Sequence, residues 1–178
     1  MIKQKHKTHL RYWISLGLLS SFLVSFTGSF FPYESSIQIL LFKLDGLFAV
    51  CAFACLAAKA TSENYDLAGA GFTILAISEG LFLTGMDQPG HLGDEANVTA
   101  VFFMIPSFLL ISYYEKFPKW LHIAGILSTV PFLVLLIIYY STNAAPTPVM
   151  RYIVYLSYQF ITLCWAWQVW KEKKNTNK

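Results

Sequence analysis

Six stretches of predominantly apolar residues, separated by short polar links, leave this chain little choice of fold. They cover residues 12–31, 37–58, 67–86, 98–114, 120–140 and 150–170. A helix needs roughly 20 such residues to cross the hydrocarbon core of a bilayer. Only a segment that satisfies its own backbone hydrogen bonds is stable there. Six crossings take up roughly 120 residues at that length, which leaves no room in 178 for a second, soluble domain. The sequence therefore predicts an all-α, polytopic six-helix transmembrane bundle, with residues 1–178 as a single integral-membrane domain. Composition agrees: 13% of residues are charged, against about a quarter in soluble domains.

The charges are clustered. Lys3, Lys5, Lys7 and Arg11 precede the first stretch and Lys59 follows the second. Lys116 and Lys119 lie between the fourth and fifth, and Lys171, Lys173, Lys174 and Lys178 close the chain. If the helices alternate in direction, all of these fall on one side. The other side receives Arg151, Glu34, Asp87, Asp94 and Glu95, with Lys43 near its surface. Excess Lys and Arg mark the cytoplasmic side, so both termini are expected there, in a bacterial cytoplasmic membrane. The net charge of +3 is thus a topology signal, and nucleic acid is not an expected partner. The apolar part of the first stretch is longer than that of a signal peptide and no A-x-A-like site follows it. Cys51, Cys55 and Cys164 lie inside the stretches without metal-ligand spacing and are expected to serve packing.

Small residues predict where helices approach closely, because lipid offers no hydrophobic drive between them. The first helix carries Gly17, Ser21, Ser25 and Ser29 at helical spacing; the third carries Gly69, Thr73, Ala76, Gly80 and Thr84. The second is slender, with several alanines, and the first three helices are expected to form a tight unit. Pro106 and Pro131 fall near the middle of the fourth and fifth helices and predict kinks there. Turn signals in 87–97 predict a loop across that whole segment. Ala145-Pro146-Thr147-Pro148-Val149 predicts a stiff extended link. Trp165, Trp167 and Trp170 read as an interfacial belt.

Ionisable residues inside membrane helices are rare and mark functional sites by default. Asp45 is expected roughly 12 Å, and Glu79 roughly 10 Å, below the outer ends of their helices. Antiparallel packing of those helices places the two carboxyls at one level. Gln159 is about as deep, and Tyr155, Tyr158, Gln159 and Thr162 form a polar series at helical spacing. Side chains lean toward the start of their helix, so Lys43 can snorkel to the outer surface while Glu79 points deeper. Glu79 is therefore expected to be neutral, paired or facing a water-filled cavity. The candidate ligand or proton site comprises Glu79, Asp45, Gln159, Tyr155, Tyr158 and Lys43, in the outer half of the bundle.

Little else suggests chemistry. His122 and His91 fall on opposite membrane sides and cannot share a haem or metal. Asp87, His91, Asp94 and Glu95 lack calcium-loop spacing. No G-x-S-x-G or H-E-x-x-H motif occurs, so no catalytic residue, metal or cofactor is expected. The favoured function is small-solute or proton-linked transport or binding. The alternative is a non-catalytic accessory or sensor protein that docks to a membrane partner or a second copy. An intramembrane lipid-modifying enzyme ranks last.

Overall fold

The computed structural model describes residues 2–32, 35–85, 92–142 and 147–175. Among them are six helices and no strand: α1 (Ile2–Gly28), α2 (Ser36–Ser62), α3 (Asp66–Gly85), α4 (Leu92–Ile111), α5 (Lys119–Thr142) and α6 (Pro148–Asn175). Four are long and apolar enough to cross a membrane, within α1, α2, α3 and α5. The apolar part of α4, Glu95–Ile111, is shorter. In α6, tyrosines, tryptophans, glutamines and the charged ends dilute the apolar character. Glu34, Asp87, His91, Ala145 and Pro146 lie outside the described residues, as do the side chains of Asp94, Arg151, His6 and most of the terminal lysines.

Local chemistry sets the helix ends. The Ser35 side chain accepts from the Gln38 N–H and caps α2. At the other end Asn64 takes a left-handed conformation, φ 66°. This lets the Tyr65 N–H reach back to the Ala60 carbonyl at 3.0 Å and close the helix. The expected loop over 87–97 is shorter than predicted, because α4 already begins at Leu92. The Leu92-Gly93-Asp94 turn signal gives way to a helix start, where acidic Glu95 suits the positive end of the helix dipole. Both prolines sit inside helices that run on past them.

Each helix packs against its neighbours in sequence, and α6 returns to α1, so the six close a ring. Close approach depends on small residues at particular points. A Cβ on Gly17 would sit 3.0 Å from the Ala52 Cβ, one on Gly46 would meet the Leu83 side chain, and Gly69 faces Ala57 and Thr61. The expected tight unit of three helices extends to a fourth, since α3 and α4 pack just as intimately. The glycine that permits this is Gly71, outside the predicted series. The predicted series itself does not form one packed face: Gly69 is buried, but Thr73 and Thr84 are exposed and Gly80 meets nothing. Residues 69, 73, 76, 80 and 84 share one side of the helix at 100° per residue, but α3 turns a different side inward and buries 68, 71, 72, 75, 78 and 79.

A stability contrast follows. A Cβ on Gly71 would lie 2.8 Å from the Ser107 carbonyl oxygen and 2.9 Å from the Ile111 nitrogen, both backbone. Gly71→Ala should therefore push α3 from α4 and cost about 1–3 kcal/mol. Gly80→Ala meets open space and should gain up to about 1 kcal/mol from helix propensity. Thermal unfolding in detergent checks this. Equal midpoints for the two variants would refute the packing assigned to Gly71.

The interior of the ring is aromatic. Trp165 of α6 is 1% exposed, and its ring lies against Phe53, Phe72, Phe108 and Phe117, with centroids 5.5–6.3 Å apart. Trp165 is thus core, not belt, whereas Trp167 and Trp170 face outward. Cys51 is likewise exposed. The aromatic layer separates two polar groups at opposite ends of the ring.

Candidate functional site

One group, at the end that the charge distribution leads us to expect as the outer one, is built on Asp45. Its Oδ1 accepts from the Ser21 hydroxyl at 2.5 Å and its Oδ2 from the Ser25 hydroxyl at 2.7 Å. Tyr155 contributes a longer contact at 3.4 Å. The Gln159 amide nitrogen donates to the Tyr155 hydroxyl at 3.0 Å and lies 3.4 Å from the Ser25 oxygen. Three helices thus converge on one buried carboxyl. Helical spacing explains it: Ser21 and Ser25 are four apart on α1, as are Tyr155 and Gln159 on α6. These two serines are the predicted packing series of α1, so small size and hydroxyl donation come from the same residues.

Glu79 is also inside the ring, 6% exposed, and within electrostatic reach of Asp45. The two are not level. Gly46 lies opposite Leu83 and Gly69 opposite Thr61, so the backbone level with Glu79 is near Val50 or Cys51. That is roughly 8 Å deeper than Asp45 at 1.5 Å per residue. The expected shared level is therefore corrected to two steps. On the deeper step the Tyr158 hydroxyl is turned toward Glu79. The Gln159 Oε1 is buried without a hydrogen-bond partner. Lys43 stands apart from Asp45 around α2. It is half-buried and roughly 200° around α2 from Asp45.

The second polar group sits at the other end, roughly 21 Å along α2 from Asp45. Lys59 is 3% exposed. Its ammonium lies 3.1 Å from Glu63 Oε2, 3.1 Å from Glu172 Oε2 and 2.5 Å from the Tyr114 hydroxyl. It also stands 5.1 Å from the centre of the Tyr114 ring. Tyr114 donates to Glu63 at 2.7 Å, and Arg11 approaches Glu172 at 3.7 Å. His122 meets the Tyr114 carbonyl at 3.0 Å, fixing the turn that presents the tyrosine. This knot ties α1, α2, α6 and the turns after α2 and α4.

No protein-family model, no curated protein and no solved structure matches the chain. Its function has to be argued from these two groups.

The inner knot is what sequence reasoning missed. Lys59 reads as one more basic residue at a helix end, Glu63 as part of a polar turn, and Glu172 as a lone acid in a basic tail. One signal was available: Lys59 and Glu63 are four apart, a spacing that pairs charges on a helix. Nothing in the sequence points to Glu172, which comes from the far end of the chain. Chemically the two groups differ. The knot sets two carboxylates against Lys59 and Arg11, whereas the Asp45 carboxyl is met by hydroxyls.

Proposed function

We propose that this chain is an integral membrane protein of six crossings, with both termini cytoplasmic, and that it binds and moves a small solute in a proton-linked cycle. The site is the outer polar group, Asp45 and Glu79 with Tyr155, Tyr158 and Gln159. The observation that carries the proposal is the burial of two carboxyls, Asp45 and Glu79, inside the ring, beside a Gln159 carbonyl oxygen that lacks a partner. Purely structural polar groups in a membrane interior are satisfied by one another.

Topology rests on the distribution of lysine and arginine and on the ring, in which six helices packed in sequence order return the chain to its starting side. The aromatic layer around Trp165 and the Lys59 knot then close the cytoplasmic end. Movement of α4 and α5, pivoting where Pro106 and Pro131 each remove a backbone hydrogen bond, is the opening that a transport cycle needs. Small shifts between packed states of this kind are how such proteins alternate access.

Glu79→Gln tests the assignment. In proteoliposomes the variant should fold normally and lose pH-gradient-driven solute movement, read with an internal pH dye across a panel of small solutes. Wild-type rates in Glu79→Gln would refute the transport role of Glu79. The accessory alternative draws on the open face of α3 at Gly80. It predicts a partner that co-purifies with the wild type and is lost on Gly80→Leu.

A further inference from the structure

We infer that the two carboxyls of the outer group hold a single proton between them at neutral pH, and that Glu79 carries it while Asp45 stays ionised. This deepens the proposal above, and rests on it for the proton's part in transport.

Asp45 is furnished as a carboxylate. Its Oδ1 accepts from Ser21, and its Oδ2 from Ser25 and, at longer range, from Tyr155. The Gln159 amide nitrogen donates to the oxygens of both Ser25 and Tyr155. A hydroxyl has one hydrogen to give. Because each of these two already receives a hydrogen from the amide, its own is directed to Asp45. Gln159 thus fixes the polarity of both bonds, and Oδ2 faces two donors without a proton of its own. Hydrogen bonds given to the charged form of an acid favour that form.

Glu79 has no such shell. It is 6% exposed, and the polar side chain that faces it is Tyr158, through its hydroxyl. The charged group within its reach is Asp45, of the same sign, and neighbouring carboxyls resist joint ionisation. Among the described residues no cation offsets the pair. Lys43 lies on the far side of α2, and Lys59 is held by Glu63 and Glu172 at the other end of the ring. Tyr155 and Tyr158 are the titratable groups that α6 turns to the pair. Cys51, level with Glu79 on α2, is exposed on the outside. Residues 96–111 of α4, packed on the other flank of α3, include no titratable side chain. A second bare charge in a membrane interior is costly. Keeping one proton removes it, and the proton stays where donors are fewest. A neutral Glu79 then presents its O–H to the oxygen of Tyr158.

Infrared spectroscopy of the full chain in detergent at neutral pH tests this, because a protonated carboxyl shows a carbonyl stretch that a carboxylate lacks. We expect such a band in the wild type. It should move when glutamate carries heavy carbon in its side-chain carboxyl, and stay when aspartate does. Glu79→Gln should abolish it and keep a thermal midpoint near wild type, since glutamine has the shape and neutrality of a protonated glutamate. Tyr158→Phe should shift its frequency, because the hydroxyl that Glu79 faces is gone. If Glu79→Gln fails to fold, the two labels in the wild type and the Tyr158→Phe shift still decide the matter. A wild type without the band overturns the inference, as does a band moved by the aspartate label or one that survives Glu79→Gln. Equal frequencies in Tyr158→Phe and wild type overturn the placement on Glu79. Loss of the band in Glu79→Gln with flux unchanged would overturn the transport role and uphold the proton site. Flux lost in Glu79→Gln, from a wild type that shows no band, sinks this inference alone.

Discussion

Lys59→Met is expected to lower stability by about 3–5 kcal/mol, the cost of removing one partner from a buried ion pair. The side chain volume is nearly kept, so the loss is electrostatic. Glu63 and Glu172 both aim a carboxylate oxygen at the ammonium, and methionine leaves them facing each other with little access to water. Chemical unfolding in detergent or bicelles measures the loss. The double variant Lys59→Met/Glu172→Gln should be less unstable than the sum of its parts, because the second change removes the stranded charge. A Lys59→Met protein within about 0.5 kcal/mol of wild type, the range of ordinary surface changes, would show that the knot contributes nothing. Acid should act through the same contacts. Burial alone would raise the Glu63 carboxyl, but the Tyr114 hydroxyl and the Lys59 ammonium outweigh it and hold the group below its ordinary value. A depressed folded-state value gives stability that is present above the unfolded pKa of about 4.5 and is lost as pH falls through the folded one. Wild type should therefore weaken on acidification below that point, and Lys59→Met should show a smaller dependence.

The second large effect is expected at Trp165. Trp165→Ala should cost about 3 kcal/mol, the low end for emptying a large buried site. Lipid is as apolar as the core, so transfer contributes less than in water and the loss comes mainly from the void among Phe53, Phe72, Phe108 and Phe117. Trp167→Ala, two residues away but 66% exposed, should change stability by less than about 0.5 kcal/mol. Parallel unfolding of the two variants decides the point. Equal losses would mean that Trp165 does not anchor the aromatic layer.

The polar series of α6 shows what periodicity can reveal. Tyr158, Gln159 and Thr162 are buried, as their spacing predicts, because the most polar face of a helix in an apolar surround has to turn inward. Asp45 is legible for the same reason: an acid in a long apolar run has few places to go. Glu79 lies inside the ring as predicted, but its level does not match the prediction. Counting residues from the helix ends assumes equal lengths and a flush register. Gly46 against Leu83 sets a register that places Glu79 a turn and a half deeper. The small-residue series on α3 fails on a related ground. Its members share one side of the helix, but the rotation of α3 in the ring turns another side inward, so Gly69 packs against α2 while Gly80 meets nothing.

The apolar runs by themselves determined that this chain is helical, and they located each helix to within a few residues, apart from the polar first turns of α1 and the early start of α4. The reason is local: a backbone surrounded by apolar side chains satisfies its hydrogen bonds within its own segment. Only the tertiary structure decided which polar residues meet. The closing of α6 onto α1 brings Glu172 to Lys59 and Gln159 to Ser25, across more than a hundred residues of chain. Such contacts depend on the register and rotation of whole helices, set by shape at Gly17, Gly46 and Gly71, and no short stretch of sequence encodes them.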